Sequence, residues 1–196
     1  IDLTVRAGEV VAVTGPSGSG KSSLIALIGG LERATGGTVQ VLDTDLGRAD
    51  EATRTRLRRH DIGVVFQAYH LVSAMTARQN TALPLILSGA KGAQQQAADM
   101  LSRVGLSHRL DHRPSQLSGG EQQRVAIARA FVASPRLILA DEPTGNLDRR
   151  TGTSIVQTMF DLCRKTRAAM LLVTHDEGLA RQCDRVLAID DGRVVS

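Results

Sequence analysis

Tryptophan is absent from this 196-residue chain, and tyrosine and phenylalanine number one and three. Surfaces that bind single-stranded nucleic acid stack successive bases on aromatic rings, and Tyr69, Phe66, Phe131 and Phe160 are too few to build one. Cysteine is nearly as scarce. Cys163 and Cys183 stand apart, with neither a C-x-x-C pairing nor metal-type neighbours. A disulfide framework and a thiolate metal site are therefore not expected; two buried free thiols in a reducing compartment are. No apolar run approaches the roughly 18 residues needed to cross a bilayer. The first residues, Ile1 to Val5, lack a basic stretch leading into an apolar one, so no signal peptide is expected and the reading is cytoplasmic.

The remaining composition is ordinary for one globular domain: 42% hydrophobic and 22% charged residues. A chain of this length buries a continuous core without covalent staples. The net charge is a modest +4 and rests mostly on arginines. Arg54, Arg56, Arg58 and Arg59 form a cluster, for which a solvated helical face is expected rather than a nucleic-acid or lipid contact.

Short β-rich pieces are expected at Leu3–Val5 and Val10–Thr14, separated by the turn Ala7-Gly8-Glu9. Leu24, Ile25, Leu27, Ile28 and Leu31 then recur at helical spacing, and Gly36-Gly37 turns into a strand at Thr38–Leu42. Further strands are expected at Ile62–Phe66, Leu137–Asp141, Ala169–Val173 and Arg185–Ile189, with a helix near Gly152–Arg164. From about residue 69 to 135 strand runs give way to helical patterns, around Gln94–Val104 and Glu121–Ala133. The expectation is one domain, with an α/β core at about 1–68 and 136–196 and a helical subdomain at about 69–135. Nearly continuous apolar strands alternating with helices predict a mostly parallel sheet covered on both faces.

Gly15-Pro16-Ser17-Gly18-Ser19-Gly20-Lys21-Ser22 fits the phosphate-loop pattern G-x-x-x-x-G-K-[ST], with a strand before it and a helix after it. Glycines let successive N–H groups turn toward phosphate oxygens, and the helix start adds roughly half a positive charge. Lys21 is expected on the β- and γ-phosphates, and the Ser22 hydroxyl on Mg²⁺; Ser23 is counted with the loop.

The apolar run Leu137–Ala140 ends in Asp141-Glu142. Ligands of parallel sheets lie beyond the carboxyl ends of the strands, so both acids are expected at the nucleotide. Asp141 suits Mg²⁺, Glu142 suits activation of the attacking water, and strand alternation lets them divide these tasks. Gln67 and His175 end two further apolar runs, where an amide reaches metal and water and an imidazole reaches the γ-phosphate.

Leu117-Ser118-Gly119-Gly120-Glu121-Gln122 precedes a run of helix formers, and a serine hydroxyl with glycine N–H groups at a helix start makes an anion site. With this motif, the phosphate loop, Gln67, the acidic strand, Gly145-Asn146-Leu147-Asp148 and His175, the chain resembles the nucleotide-binding domain of ABC transporters along nearly its whole length.

That resemblance implies an ABC ATPase fold: a P-loop core, an N-terminal antiparallel β piece and a helical insertion. It implies ATP and Mg²⁺ as ligands. It also implies a head-to-tail dimer in which Ser118, Gly119, Gly120 and Glu121 cap the opposite subunit's γ-phosphate, with Asp148 nearby. A membrane permease is the implied partner and the inner membrane face the implied place of work; no nucleic acid is expected.

Ile28-Gly29-Gly30-Leu31, Arg113-Pro114-Ser115-Gln116 and Glu142–Asp148 are most similar to bacterial lipoprotein-releasing and macrolide-export ATPases. Rival readings are an ABC ATPase working on nucleic acid or the ribosome, which would carry long coiled-coil insertions or fused halves, and a silent ATP-binding module, which would not need Glu142 and His175. His108 and His112 have HxxxH spacing, but Pro114 close behind favours a structural role over a metal site. Two departures from the family stand out. The aromatic expected to stack on adenine is missing upstream of Gly15, as if the sequence were trimmed, and Gln79 stands where glutamate is common.

Overall fold

The computed structural model describes residues 1–195. Four runs of almost wholly apolar residues form the strands β1 (Val10–Thr14), β4 (Ile62–Phe66), β5 (Leu137–Asp141) and β6 (Ala169–Val173), with the bounds expected from sequence. They lie in one sheet of order β4-β5-β6-β1-β7-β8, where β7 is Arg185–Asp190 and β8 is Arg193–Val194. All neighbours are parallel except β7 and β8. Such strands are covered on both faces, which explains why they do not alternate with polar residues.

Alternation instead divides the core in two. Val10, Ile138, Ala140, Met170 and Leu172 face one cluster; Val11, Val13, Leu139, Leu171 and Val173 face the other. The second cluster holds α1 (Lys21–Ile28) and α2 (Glu51–His60) against the sheet through Leu24, Ile25 and Leu57. The first packs α3 (Ala77–Leu87), α4 (Ala93–Arg103), α5 (Gly119–Phe131) and α6 (Arg149–Thr166). No strand lies between β4 and β5. A short helix α7 (Glu177–Ala180) links β6 to β7. Each fully buried Leu or Ile side chain contributes about 1.5–3 kcal/mol.

Several expectations fail for identifiable reasons. Leu3–Val5 is not a strand: among the described residues no segment pairs with it, although Leu3 and Val5 pack on the second cluster and the Thr4 carbonyl accepts from Arg185. The antiparallel piece is instead the hairpin β2 (Gln40–Val41) with β3 (Thr44–Asp45), shorter than Thr38–Leu42 because Leu42 turns the chain with φ of 55°. Helix α1 stops at Ile28, where Leu31 N–H bonds back to Ala26 O at 2.9 Å, so Leu31 is exposed rather than part of the stripe.

The arginine cluster does lie on a helix, α2, but not on a wholly solvated face. Arg54 is buried and paired with Glu51, and Arg58 donates to Gly30 O at 2.7 Å. Cys163 is buried, while Cys183 is only half-buried. Burial pushes the Cys163 thiol up to about 12; burial and then the Asp184 charge push Cys183 to about 11. Gln79 proves compatible with its place: its Oε1 accepts from Thr76 N–H at 2.9 Å, completing the capping box that starts α3. Among the described residues no helix is long and apolar enough to cross a membrane.

Candidate functional site

The parallel register of β4, β5, β6 and β1 brings four chain segments to one edge of the sheet. Phe66 pairs with Asp141, Asp141 with Val173, and Val173 with Val13, so the residues after each strand emerge side by side. A cleft of about 510 Å³ opens there. Gly15, Ser17, Gly18, Gly20, Lys21, Ser22 and Ser23 line one wall; Gln67, Asp141, Glu142 and His175 line the other.

The loop after β1 demands glycine at its first position. A Cβ on Gly15 would stand 2.0 Å from the Ile189 carbonyl oxygen, and its φ of 148° lies outside the range of other residues. Pro16 and Ser19 do not line the cleft but frame the loop. Ser19 N–H donates to Pro16 O at 3.3 Å, and Lys21 Nζ donates to Gly15 O at 3.0 Å, Pro16 O at 2.6 Å and Ser19 Oγ at 3.4 Å. The ammonium is thereby held inside the curl of the loop. Helix α1 starts next, with Lys21 and Ser22 in its first turn.

Ser22 Oγ donates to Asp141 Oδ2 at 3.0 Å. A hydroxyl and a carboxylate so close form a hard-oxygen pair of the kind that holds Mg²⁺ together with phosphate oxygens. One residue on, Glu142 adopts φ of 46° and its Oε2 lies 2.8 Å from His175 Nδ1. Gln67 exchanges bonds with Asn146: Nε2 donates to Asn146 Oδ1 at 3.2 Å, and Asn146 Nδ2 donates to Gln67 O at 3.1 Å. The Gln67 amide abuts Gly145, where a Cβ would stand 2.6 Å from its Nε2.

Ser118, Gly119, Gly120 and Glu121 do not line this cleft. They start α5, where Ser118 N–H donates to Glu121 Oε2 at 2.8 Å and Glu121 N–H to Ser118 Oγ at 3.3 Å. Arg109 Nε adds a bond to Glu121 Oε1 at 2.9 Å. The backbone bond from Ser118 first, with help from Arg109, holds the Glu121 carboxyl below its ordinary range. Asp148 caps α6 by accepting from Thr151 N–H at 3.0 Å, and this bonding lowers its carboxyl as well. His112 Nε2 lies 3.2 Å from Arg109 Nη1, and His108 is exposed. No metal-type cluster of three His, Cys, Asp or Glu residues occurs among the described residues.

A phosphate loop, an acidic strand end and a serine-capped glycine motif on a helical segment coincide with a family match: the family described as ABC transporter covers residues 1–145. The chain belongs to the ABC transporter family. It is an ATP-binding and ATP-hydrolysing cassette of that family.

A lipoprotein-releasing system ATP-binding protein LolD of Legionella pneumophila (strain Paris) is 46% identical over 194 residues, spanning 98% of this chain and 86% of its own length. The protein of the same description from Geobacter metallireducens is 48% identical over 198 residues, spanning 100% of this chain and 88% of its own length. The dimeric post-hydrolysis structure of the ATP-binding cassette MJ0796 bound to ADP and Pi matches with a TM-score of 0.90. The two share 39% identity, over 99% of this chain and 86% of that one.

Three side chains that bond to the segments around the cleft were not singled out as site residues from the sequence. Asn146 is the partner of Gln67. Arg129 Nη1 and Nη2 donate to His70 O at 2.6 Å and Tyr69 O at 2.9 Å, and burial pulls its guanidinium below the ordinary value. Gln123 is fully buried. A glutamine just ahead of the buried stretch Val125–Ala128 is the one hint that α5 hides a polar contact.

Proposed function

We propose that this ABC cassette powers a membrane permease of the lipoprotein-releasing or exporter kind, through ATP-driven closure of a head-to-tail dimer. The observation that carries the hydrolytic part is the Glu142–His175 pair, 2.8 Å apart beside the phosphate loop. In this reading the loop N–H groups of Gly15 to Ser23 and the Lys21 ammonium bind the triphosphate. Ser22, Asp141 and Gln67 would hold Mg²⁺, which supplies charge neutralisation on the phosphates.

Glu142 accepts the proton of the attacking water, and His175 fixes the orientation of that carboxylate. Gln67, joined to Asn146, links the water side of the cleft to the Gly145–Asp148 loop. Ser118, Gly119, Gly120 and Glu121 start α5 away from this cleft, which supports a role in capping the nucleotide of a second copy, with Asp148 near the same junction. The segment from about 69 to 135 then acts as a helical subdomain that carries this cap.

The LolD relatives are named as lipoprotein-releasing ATP-binding proteins and MJ0796 is described as a dimer; both support this reading. The place of work is accordingly the inner face of the inner membrane, with a permease supplying the membrane spans. An ABC ATPase acting on nucleic acid or the ribosome is disfavoured, since the connection between β4 and β5 holds only helices of 13 residues or fewer.

The test is capture of the full-length Glu142→Gln variant with ATP from detergent-solubilised native membranes. The expected result is an ATP-trapped dimer with a multi-pass permease bearing a large extracytoplasmic domain. Ribosomal or repair proteins in its place would overturn transport, and turnover at the parent rate would move the base elsewhere.

A further inference from the structure

Gln123 is a polar side chain in an apolar place. It is fully buried on α5, and so are Val125 to Ala128. Its Nε2 donates to Pro143 O at 2.5 Å and to Phe66 O at 3.4 Å, while its Oε1 has no partner. Burying an amide with an unpaired oxygen is unfavourable, and a methionine of similar shape would avoid the cost. Packing alone therefore does not account for a glutamine here; the two carbonyls it holds do.

Those carbonyls belong to the residues flanking the reactive ones. Pro143 follows Glu142, and Phe66 precedes Gln67, on strands where Phe66 pairs directly with Asp141. Glu142 has φ of 46°, a conformation that a residue with a side chain keeps only when its surroundings impose it. Glu142 N–H donates to Val173 O at 3.0 Å and Gly145 N–H to Glu142 O at 3.1 Å. The Gln123 bond to Pro143 O is the contact that reaches this turn from α5.

We infer that Gln123 is a positioning residue for ATP hydrolysis. It fastens the helix capped by Ser118 to the strand ends bearing Gln67 and Glu142, and so fixes where the Glu142 carboxylate stands. This rests on the reading of Glu142 as the group that activates water. Arg129 repeats the connection farther along α5 by holding the carbonyls of Tyr69 and His70. The Gln67 segment is thus tied to one helix at both ends.

Gln123→Met removes both donors at nearly constant volume. In the full-length protein within its native membrane complex, the KM for ATP should stay within about twofold. The kcat should fall by about 10- to 100-fold, the size expected when a catalytic group moves by about 1 Å. Gln123→Glu supplies a signature that packing would not. Its ionised carboxylate offers no donor to the two carbonyls, whereas its protonated form donates one O–H to Pro143 O. Its kcat relative to the parent should therefore rise as pH falls from about 8 to about 6.

An unchanged kcat in Gln123→Met overturns the inference, as does a flat pH ratio in Gln123→Glu. If Gln123→Met does not fold, the pH ratio alone decides. Glu142→Gln assayed alongside keeps the two readings separate. Parent-rate turnover there sinks the base assignment, while an active Gln123→Met beside an inactive Glu142→Gln sinks only the positioning role.

Discussion

In the proposed function, nucleotide affinity turns on Lys21. An ammonium is a compact charge with three donors, and here those donors reach Gly15 O, Pro16 O and Ser19 Oγ, all inside the loop. The charge is thereby held inside the loop, where the proposed function puts the β- and γ-phosphates. Lys21→Ala should weaken ATP binding by about 100-fold or more, roughly 2.7 kcal/mol, with the melting temperature little changed. Titration calorimetry reads this directly, and near-parent affinity would count against the assigned loop. Lys21 was legible in the sequence through the spacing of its glycine loop, and Gln67, Asp141, Glu142 and His175 because each stands at the end of an apolar run. Asn146, Gln123 and Arg129 were not, because their meaning lies in bonds to residues 20 to 79 positions away.

Among the elements, the helix starts carry the acid sensitivity. Glu121 closes the capping box of α5, Asp50 caps α2 and Asp148 caps α6, and all three carboxyls titrate below their ordinary values of 4.5 and 3.8. A carboxyl lowered in the folded state stabilises it fully above the unfolded value, and that contribution is lost as pH falls through the folded value. Stability should therefore drop below about pH 4.5. Glu121→Gln keeps a side chain able to close the box, so stability at neutral pH should change by about 1 kcal/mol or less. Its loss of stability between about pH 5 and pH 3 should be shallower than the parent's, as followed by circular dichroism melts. A slope identical to the parent's would remove Glu121 from the account.

Strands β1, β4, β5 and β6 were readable to the residue because burial on both faces leaves apolar runs bounded by turns. Leu3–Val5 looked equally β-rich, yet a strand needs a partner and none adjoins it. Helix α2 gave no apolar stripe, since Leu57 and the stem of Arg54 are its only buried residues.

For the whole molecule, the decisive fact is separation: the cleft lies at the carboxyl ends of the strands, and the Ser118 motif starts a helix that does not line it. In the proposed dimer each cleft is completed by the other copy. Ser118→Arg should then leave ATP binding to the single chain within about twofold while abolishing hydrolysis. In mixed dimers with Lys21→Ala, both defects fall in one cleft and the other pairs an intact Lys21 with an intact Ser118, so activity at one site should be restored. An equal loss of monomer binding in Ser118→Arg would argue that the motif serves its own chain.

The poverty in aromatic residues has an optical consequence. Tyr69 is the one tyrosine among these 196 residues, and there is no tryptophan. Its hydroxyl abuts Gly119, where an added Cβ would stand 2.9 Å from it, and its carbonyl is held by Arg129. Tyrosine emission from this chain therefore comes from a single ring between the Gln67 loop and the helix capped by Ser118. A nucleotide titration followed by fluorescence would watch that junction alone. A melt followed the same way would record when the junction opens, since the sheet behind it holds no tyrosine.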